Sequence, residues 1–208
     1  MKLYSRGLLA ALLTAVVCVS AARAQEEGRA ALRQAVEAMR RVPAYRATVS
    51  EAGASTAELW MEVVNPDLLH LRTGMGTEVY SDGKTILARE GASGRFAEAR
   101  GNVAATVAIA RQMATPDALL AMATGVRFVS RETVNGTPAS VYAIDALAFG
   151  MRVNARMWIA DADHRPLRLE GEINGEAKLG ARTGRRVHRS ATVTYEYDPA
   201  IRVTMPTN

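Results

Sequence analysis

Three histidines, one cysteine and two close pairs of acids are the residues of this chain best suited to chemistry, and their spacing limits what they can do. His70, His164 and His188 fall on a strand, in a turn and in a basic stretch, with no metal-ligand spacing between them. His70 shares a strand phase with Leu68 and Arg72 and reads as a surface or internally satisfied histidine. Asp161 and Asp163 could suggest a cation site, but a two-acid turn without further ligands is more often only a turn. Glu170 and Glu172 lie two apart on one strand face; with Arg168 and Arg156 they read as cross-strand surface charges. One cysteine, Cys18, permits neither a disulfide framework nor a four-cysteine zinc site. There is no G-x-S-x-G elbow and no phosphate-binding loop. The expectation is a protein that is not an enzyme, with no catalytic residue, metal or cofactor; a hydrolase is the weakest of the readings weighed.

The chain has 208 residues, 26 Lys+Arg against 21 Asp+Glu, and 49% hydrophobic residues. That is enough apolar material for the core of one domain and excludes wholesale disorder. The formal charge of +5 invites a nucleic-acid reading, which the N-terminus undermines. Lys2 and Arg6 precede the uncharged run Gly7 to Ala21, and Ala22-Arg23-Ala24 follows. This is the pattern of a signal peptide cut after Ala24, and the apolar run falls short of the roughly 20 residues of a membrane span. Cleavage removes Lys2, Arg6 and Arg23, so residues 25–208 carry only +2. Cys18 leaves too; Ala15-Val16-Val17 before it lacks the small residue that a lipoprotein signal wants directly ahead of its cysteine. The expected product is a thiol-free periplasmic domain over residues 25–208, a monomer that binds no nucleic acid.

These side chains must be positioned by one helix and many strands. Leu32, Val36 and Met39 recur at helical spacing within Glu26 to Arg41, and Pro43 ends that helix. From Tyr45 the period becomes two, with Leu59, Met61 and Val63, then Leu69 and Leu71, on one phase. Asn65-Pro66-Asp67, Asp82-Gly83 and Asn135-Gly136 mark turns between strands. Asn102 to Met113 and a segment opened by Thr115-Pro116-Asp117 and closed by Gly125 read as short helices. Strands then resume through Val153, Ala155, Met157 and Ile159, through Leu167, Leu169 and Ile173, and through Ala191 to Tyr197, with Ile201, Val203 and Met205 last. About ten alternating strands need cover for their apolar face, and three helices suffice only if the sheet curves around them. The fold class is α+β: a strongly curved antiparallel half-barrel, with an N-terminal helix and two short lid helices over its concave face.

The run AELWMEVVNPDLLHLRTGMGTEVYSDGKTILARE, Ala57 to Glu90, resembles the central signature of LolA-type periplasmic lipoprotein carriers, with Ser81-Asp82-Gly83-Lys84-Thr85 complete. The second half is similar to the LppX/LprG lipid-binding lipoproteins, on Val134 to Pro138, Trp158-Ile159, Pro166-Leu167-Arg168 and Tyr195-Glu196-Tyr197. The resemblance spans about residues 28 to 206. It implies a half-barrel whose concave face, capped by helices, forms a hydrophobic cavity for acyl chains. One departure stands out. LolA carriers have an Arg before the signature Pro, thought to latch the helical lid, and this chain has Asn65, which can still bond a carbonyl but lacks the reach and charge.

The expected function is a non-catalytic periplasmic carrier of lipid or of a lipoprotein acyl chain. The inward candidates by strand phase are Leu59, Met61, Val63, Leu69, Leu71, Met157, Ile159, Leu167 and Leu169, joined by Met113 and Met122 on the lid helices, with Asn65 as lid contact. The same pattern also builds plain core. Trp60 and Trp158 fall on the opposite phase. The alternative is a sensor or interaction module on the same fold that docks a membrane protein partner. Its surface would be the outer face of the sheet or the basic run Arg182 to Arg189, where Arg182, Arg185, Arg186 and Arg189 form either an anionic-headgroup or partner patch or a solvated hairpin tip.

Overall fold

A computed structural model describes residues 5–51, 56–91, 94–99, 116–148, 151–177 and 185–207. Helix α1, Ser5–Arg41, leads into strands β1 Ala44–Glu51, β2 Leu59–Val64, β3 Leu68–Thr73, β4 Thr77–Ser81, β5 Ile86–Glu90 and β6 Ala97–Glu98. Helix α2, Pro116–Met122, precedes β7 Ala123–Val134, β8 Thr137–Ala148, β9 Met151–Ala160, β10 Pro166–Ala177 and β11 Arg185–Glu196. All eleven strands form one antiparallel sheet in the order β6-β5-β4-β3-β2-β1-β11-β10-β9-β8-β7. Two meanders therefore meet where the first strand pairs with the last, Ala47 opposite Tyr195 and Val49 opposite Val193. The sheet is curved and unclosed, with β6 and β7 at its edges.

The period of two does the sorting. Tyr45, Ala47 and Val49 on β1 align with Met61 and Val63 on β2, Leu69 and Leu71 on β3, and Val79 on β4. Met157, Ile159, Leu169, Val193 and Tyr195 continue the layer on the other half. Leu32, Ala35 and Met39 of α1 pack into this same cluster. They recur three and four residues apart, which gives the helix one apolar stripe to set into the concave face. The half-barrel with its N-terminal helix is thus as the alternation predicts.

Several boundaries differ from the sequence reading. The helix does not begin at Glu26 but runs unbroken from Ser5. The segment after Pro116 ends at Met122, and Gly125 lies inside β7, opposite Asp145 at a register shift, because β8 offers that backbone a partner. Residues 201–207 form no strand, although Ile201 and Val203 are buried. The Asn102 to Met113 helix falls outside the described residues. Both predicted hairpin turns hold, with Gly83 at φ 84°, Asn135 at 50° and Gly136 at 82°, the left-handed region such turns require.

Candidate functional site

Helix α1 lies across the concave face as a bar fastened at several points. Gly28 meets β7 so closely that a Cβ there would sit 2.6 Å from the Val126 carbonyl oxygen. Beside it, Arg29 donates to the Ala123 carbonyl at 2.8 Å and Gln25 to that of Thr124 at 3.3 Å. At the other end Asn65, in the β2–β3 turn, donates its side-chain amide to the carbonyls of Met39 (2.9 Å) and Val42 (2.7 Å). These are carbonyls that a terminating helix leaves without partners. Arg40 reaches Asp117 of α2 at 2.5 Å. Leu119 and Leu120 of α2 pack against the main apolar cluster, and Met122 packs beside Ala146, Val153 and Ile173.

The predicted inward residues come together under this bar, with one exception. Met61, Val63, Leu69, Leu71, Met157, Ile159 and Leu169 are all buried in the main cluster, and Leu59 packs against it. Met61, Leu69 and Met157 have essentially no exposed surface, so the side chains of α1 and the sheet fill the space between them. Leu167 lies on the other side. Pro166 pairs with Ile159 and Arg168 with Trp158, so Leu167 is the extra residue of a bulge and joins a second cluster with Ala139, Val141 and Trp158. Met113 lies outside the described residues.

Three tyrosines stand at one end of the concave layer. Tyr45 is 6.5 Å from Tyr195 and 6.3 Å from Tyr197, centroid to centroid. Tyr197 donates to the Pro166 carbonyl at 2.6 Å. The Tyr195 hydroxyl is buried and makes no hydrogen bond. Burial pushes both Tyr195 and Tyr197 far above the ordinary phenol range, so both remain protonated donors.

The opposite, convex face is polar. On β1 to β5 the His70 ring stacks on Tyr80 at 4.2 Å and meets Trp60 edge-on at 5.2 Å. Its Nε2 lies 2.7 Å from Glu78 and its Nδ1 3.6 Å from Glu62. Arg89 completes the bonding of Glu78, and Arg46 bridges Glu62 and Glu196 at 2.8 Å each. Arg46 and Arg72 stand over the Trp60 ring. His70 is therefore a satisfied strand histidine inside an ionic network. On β9 the Trp158 indole donates to Glu132 at 2.8 Å, which with Ser130 holds that carboxyl below its ordinary range.

Across β7 to β11 the same face carries a trough of about 530 Å³. Arg127, Arg156, Arg168, Asp145, Glu170 and Glu172 wall it, over small residues such as Ala143 and Ser190. Arg168 pairs with Glu170, and Arg127 with Asp145 at 3.2 Å. Three cations against three anions leave it electrically balanced, unlike the apolar cavity the sequence leads one to expect. Glu170 and Glu172 fulfil their reading as surface charges. Among the described residues no group of three or more His, Cys, Asp or Glu could hold a metal ion.

Part of the basic run is strand. Arg185 to Arg189 form the start of β11, with Ala177 opposite Arg185, Glu176 opposite Arg186 and Ile173 opposite Arg189. Arg182 lies outside the described residues.

No protein-family model matches the chain, and no curated protein matches it in sequence. Solved structures do match its shape. The Mycobacterium tuberculosis lipoprotein LppX superposes with a TM-score of 0.55 and 16% identity, covering 82% of this chain and 94% of LppX. LprF from Mycobacterium bovis gives 0.52 and 14%, covering 88% and 97%. The fold is that of LppX and LprF. The resemblance read from the sequence thus reappears in three dimensions, at the level of the fold. In this LppX-like fold the concave layer under α1 is where the predicted inward residues converge, and Asn65 ties the turn before β3 to the end of α1. Sequence reasoning missed the unpartnered Tyr195 hydroxyl, the close approach at Gly28 and the His70–Glu78–Arg89 network. Only Gly28 left a signal, as a lone glycine within a helical pattern.

Proposed function

We propose that this protein is a non-catalytic periplasmic carrier that encloses an acyl chain of a lipid or lipoprotein between the concave sheet and α1. The observation that supports this most is the apolar layer itself: Met61, Leu69, Leu71, Met157 and Ile159 converge beneath a helix fastened by a few polar contacts. Methionines repack readily, and each methylene buried there contributes about 0.8 kcal/mol. Loading requires α1 or α2 to lift, since side chains of both helices pack into the concave cluster. No helix among the described residues is long and apolar enough to cross a membrane. Export with cleavage after Ala24 belongs to this reading, and N-terminal sequencing of the exported protein tests it.

The direct test is purification without detergent, followed by solvent extraction and mass spectrometry. A carrier yields co-purifying acyl lipid and binds a fluorescent fatty acid once stripped. Absence of both overturns the proposal.

A further inference from the structure

Tyr195 carries a polar group that the folded protein leaves unused. Its ring belongs to the cluster shared by Leu32, Ala35 and Met39 of α1 with the concave strands, and only 8% of the residue is exposed. Its strand partner is Ala47, and Val193 precedes it on the same face. The neighbouring tyrosine on β11, Tyr197, satisfies its own hydroxyl on Pro166. A buried hydroxyl without a partner forfeits its bonds to water and gains nothing in return, so it calls for an explanation.

We infer that the Tyr195 hydroxyl is the polar anchor of the concave site, donating to an uncharged carbonyl oxygen, of the ester class, at the head of a bound acyl chain. This rests on the carrier reading and adds the chemistry of the ligand's head. A protonated phenol offers one donor and suits an acceptor. A carboxylate in the same place would be buried among apolar side chains without a counter-charge, which is strongly unfavourable. Arg165 stands over the ring of the neighbouring Tyr197 at 4.7 Å, but its charge is already met by Asp163 at 2.6 Å. An ester gains the hydrogen bond and brings no charge.

The test compares three pyrene-labelled probes of equal chain length, an alkane, a methyl ester and a free acid, titrated into the delipidated protein. The ester should bind about five-fold tighter than the alkane, the worth of one neutral hydrogen bond, and tighter than the free acid. Tyr195→Phe should bind the alkane unchanged and lose the ester preference. It should also be no less stable than the parent when empty, since it removes only the unsatisfied oxygen. Tyr197→Phe is the control: it breaks the bond to Pro166, lowers stability and keeps the ester preference. If Tyr195→Phe retains the preference, the anchor is overturned while the carrier reading stands, as it would be were Tyr195 merely holding a buried water. If the parent binds none of the probes, both fall.

Discussion

The Asn65 side-chain amide donates to the carbonyl of Val42 at 2.7 Å, just beyond the last turn of α1, and its second bond goes to Met39 at 2.9 Å. One short polar side chain thereby caps the C-terminal end of the bar that covers the concave face, and its own backbone N–H donates to Pro43. A helix end held in this way needs donors from outside, because its final carbonyls have none within the helix. The contact requires an amide nitrogen. Asn65→Ala should lower the unfolding free energy by about 1–2 kcal/mol, two neutral hydrogen bonds at their usual worth. Asn65→Asp should lower it further, because a carboxylate there faces two carbonyl oxygens. Urea unfolding at neutral pH checks both. Equal stability of the alanine variant and the parent would show that α1 is held without Asn65.

Gly28 reverses the usual rule for glycine in a helix. In an exposed helix interior Gly→Ala stabilises by about 1 kcal/mol. Here the new Cβ would lie 2.6 Å from the Val126 carbonyl oxygen, a backbone atom that cannot swing aside. Gly28→Ala should therefore destabilise by about 1–3 kcal/mol, the range for overpacking. Hydrogen exchange should quicken along β7, where Arg29 and Gln25 also dock on Ala123 and Thr124. A stabilised variant would mean that α1 does not pack against β7 at this point.

What the sequence made legible follows from period. Alternation placed Met61, Val63, Leu69, Leu71, Met157, Ile159 and Leu169 on one face, and all seven are in one cluster. It failed at Leu167 because a bulge adds one residue to β10, and a bulge changes pairing without changing composition. It failed at Gly125, which reads as a helix stop until β8 is seen to pair with it. The basic run read as a tip because Arg and Gly cluster there; the long partner strand β10 extends to meet its later part, from Arg185 on. Asn65 was flagged only because the resemblance puts an arginine there. Its acceptors lie 23 and 26 residues away, and no local pattern names them.

Glu78 predicts a pH dependence. Burial disfavours its charge, but bonds from Arg89 and His70 outweigh that and hold the carboxyl below its ordinary range. A carboxyl lowered on folding stabilises the native state above its unfolded value, about 4.3 for Glu. That contribution disappears as pH falls through the lower folded value. Glu78→Gln should thus be destabilised by about 1–3 kcal/mol near neutrality, because Arg89 and His70 lose a carboxylate acceptor. The gap to the parent should hold down to about pH 5 and narrow steadily below about pH 4. Urea unfolding across that interval measures it. A gap that stays constant at the acid end would show that Glu78 is not lowered by its partners.

The ion pair between Arg40 and Asp117 joins the bar to the second helix, and its value should be kinetic. Both side chains are well exposed, 68% and 41%, so the pair adds at most about 1 kcal/mol to stability. Yet it spans α1 and α2, the two elements that would part for loading in the carrier proposed above. A contact that stabilises the closed state but is broken in the opening step slows opening by its full worth, however small. Arg40→Ala should therefore unfold at nearly the parent's urea midpoint while releasing a bound fluorescent fatty acid several-fold faster in stopped-flow displacement. Raising salt should speed release from the parent toward the variant's rate and leave the variant unaffected, because exposed charges are screened. Identical release rates for parent and variant at low salt would show that α1 and α2 do not separate at this pair.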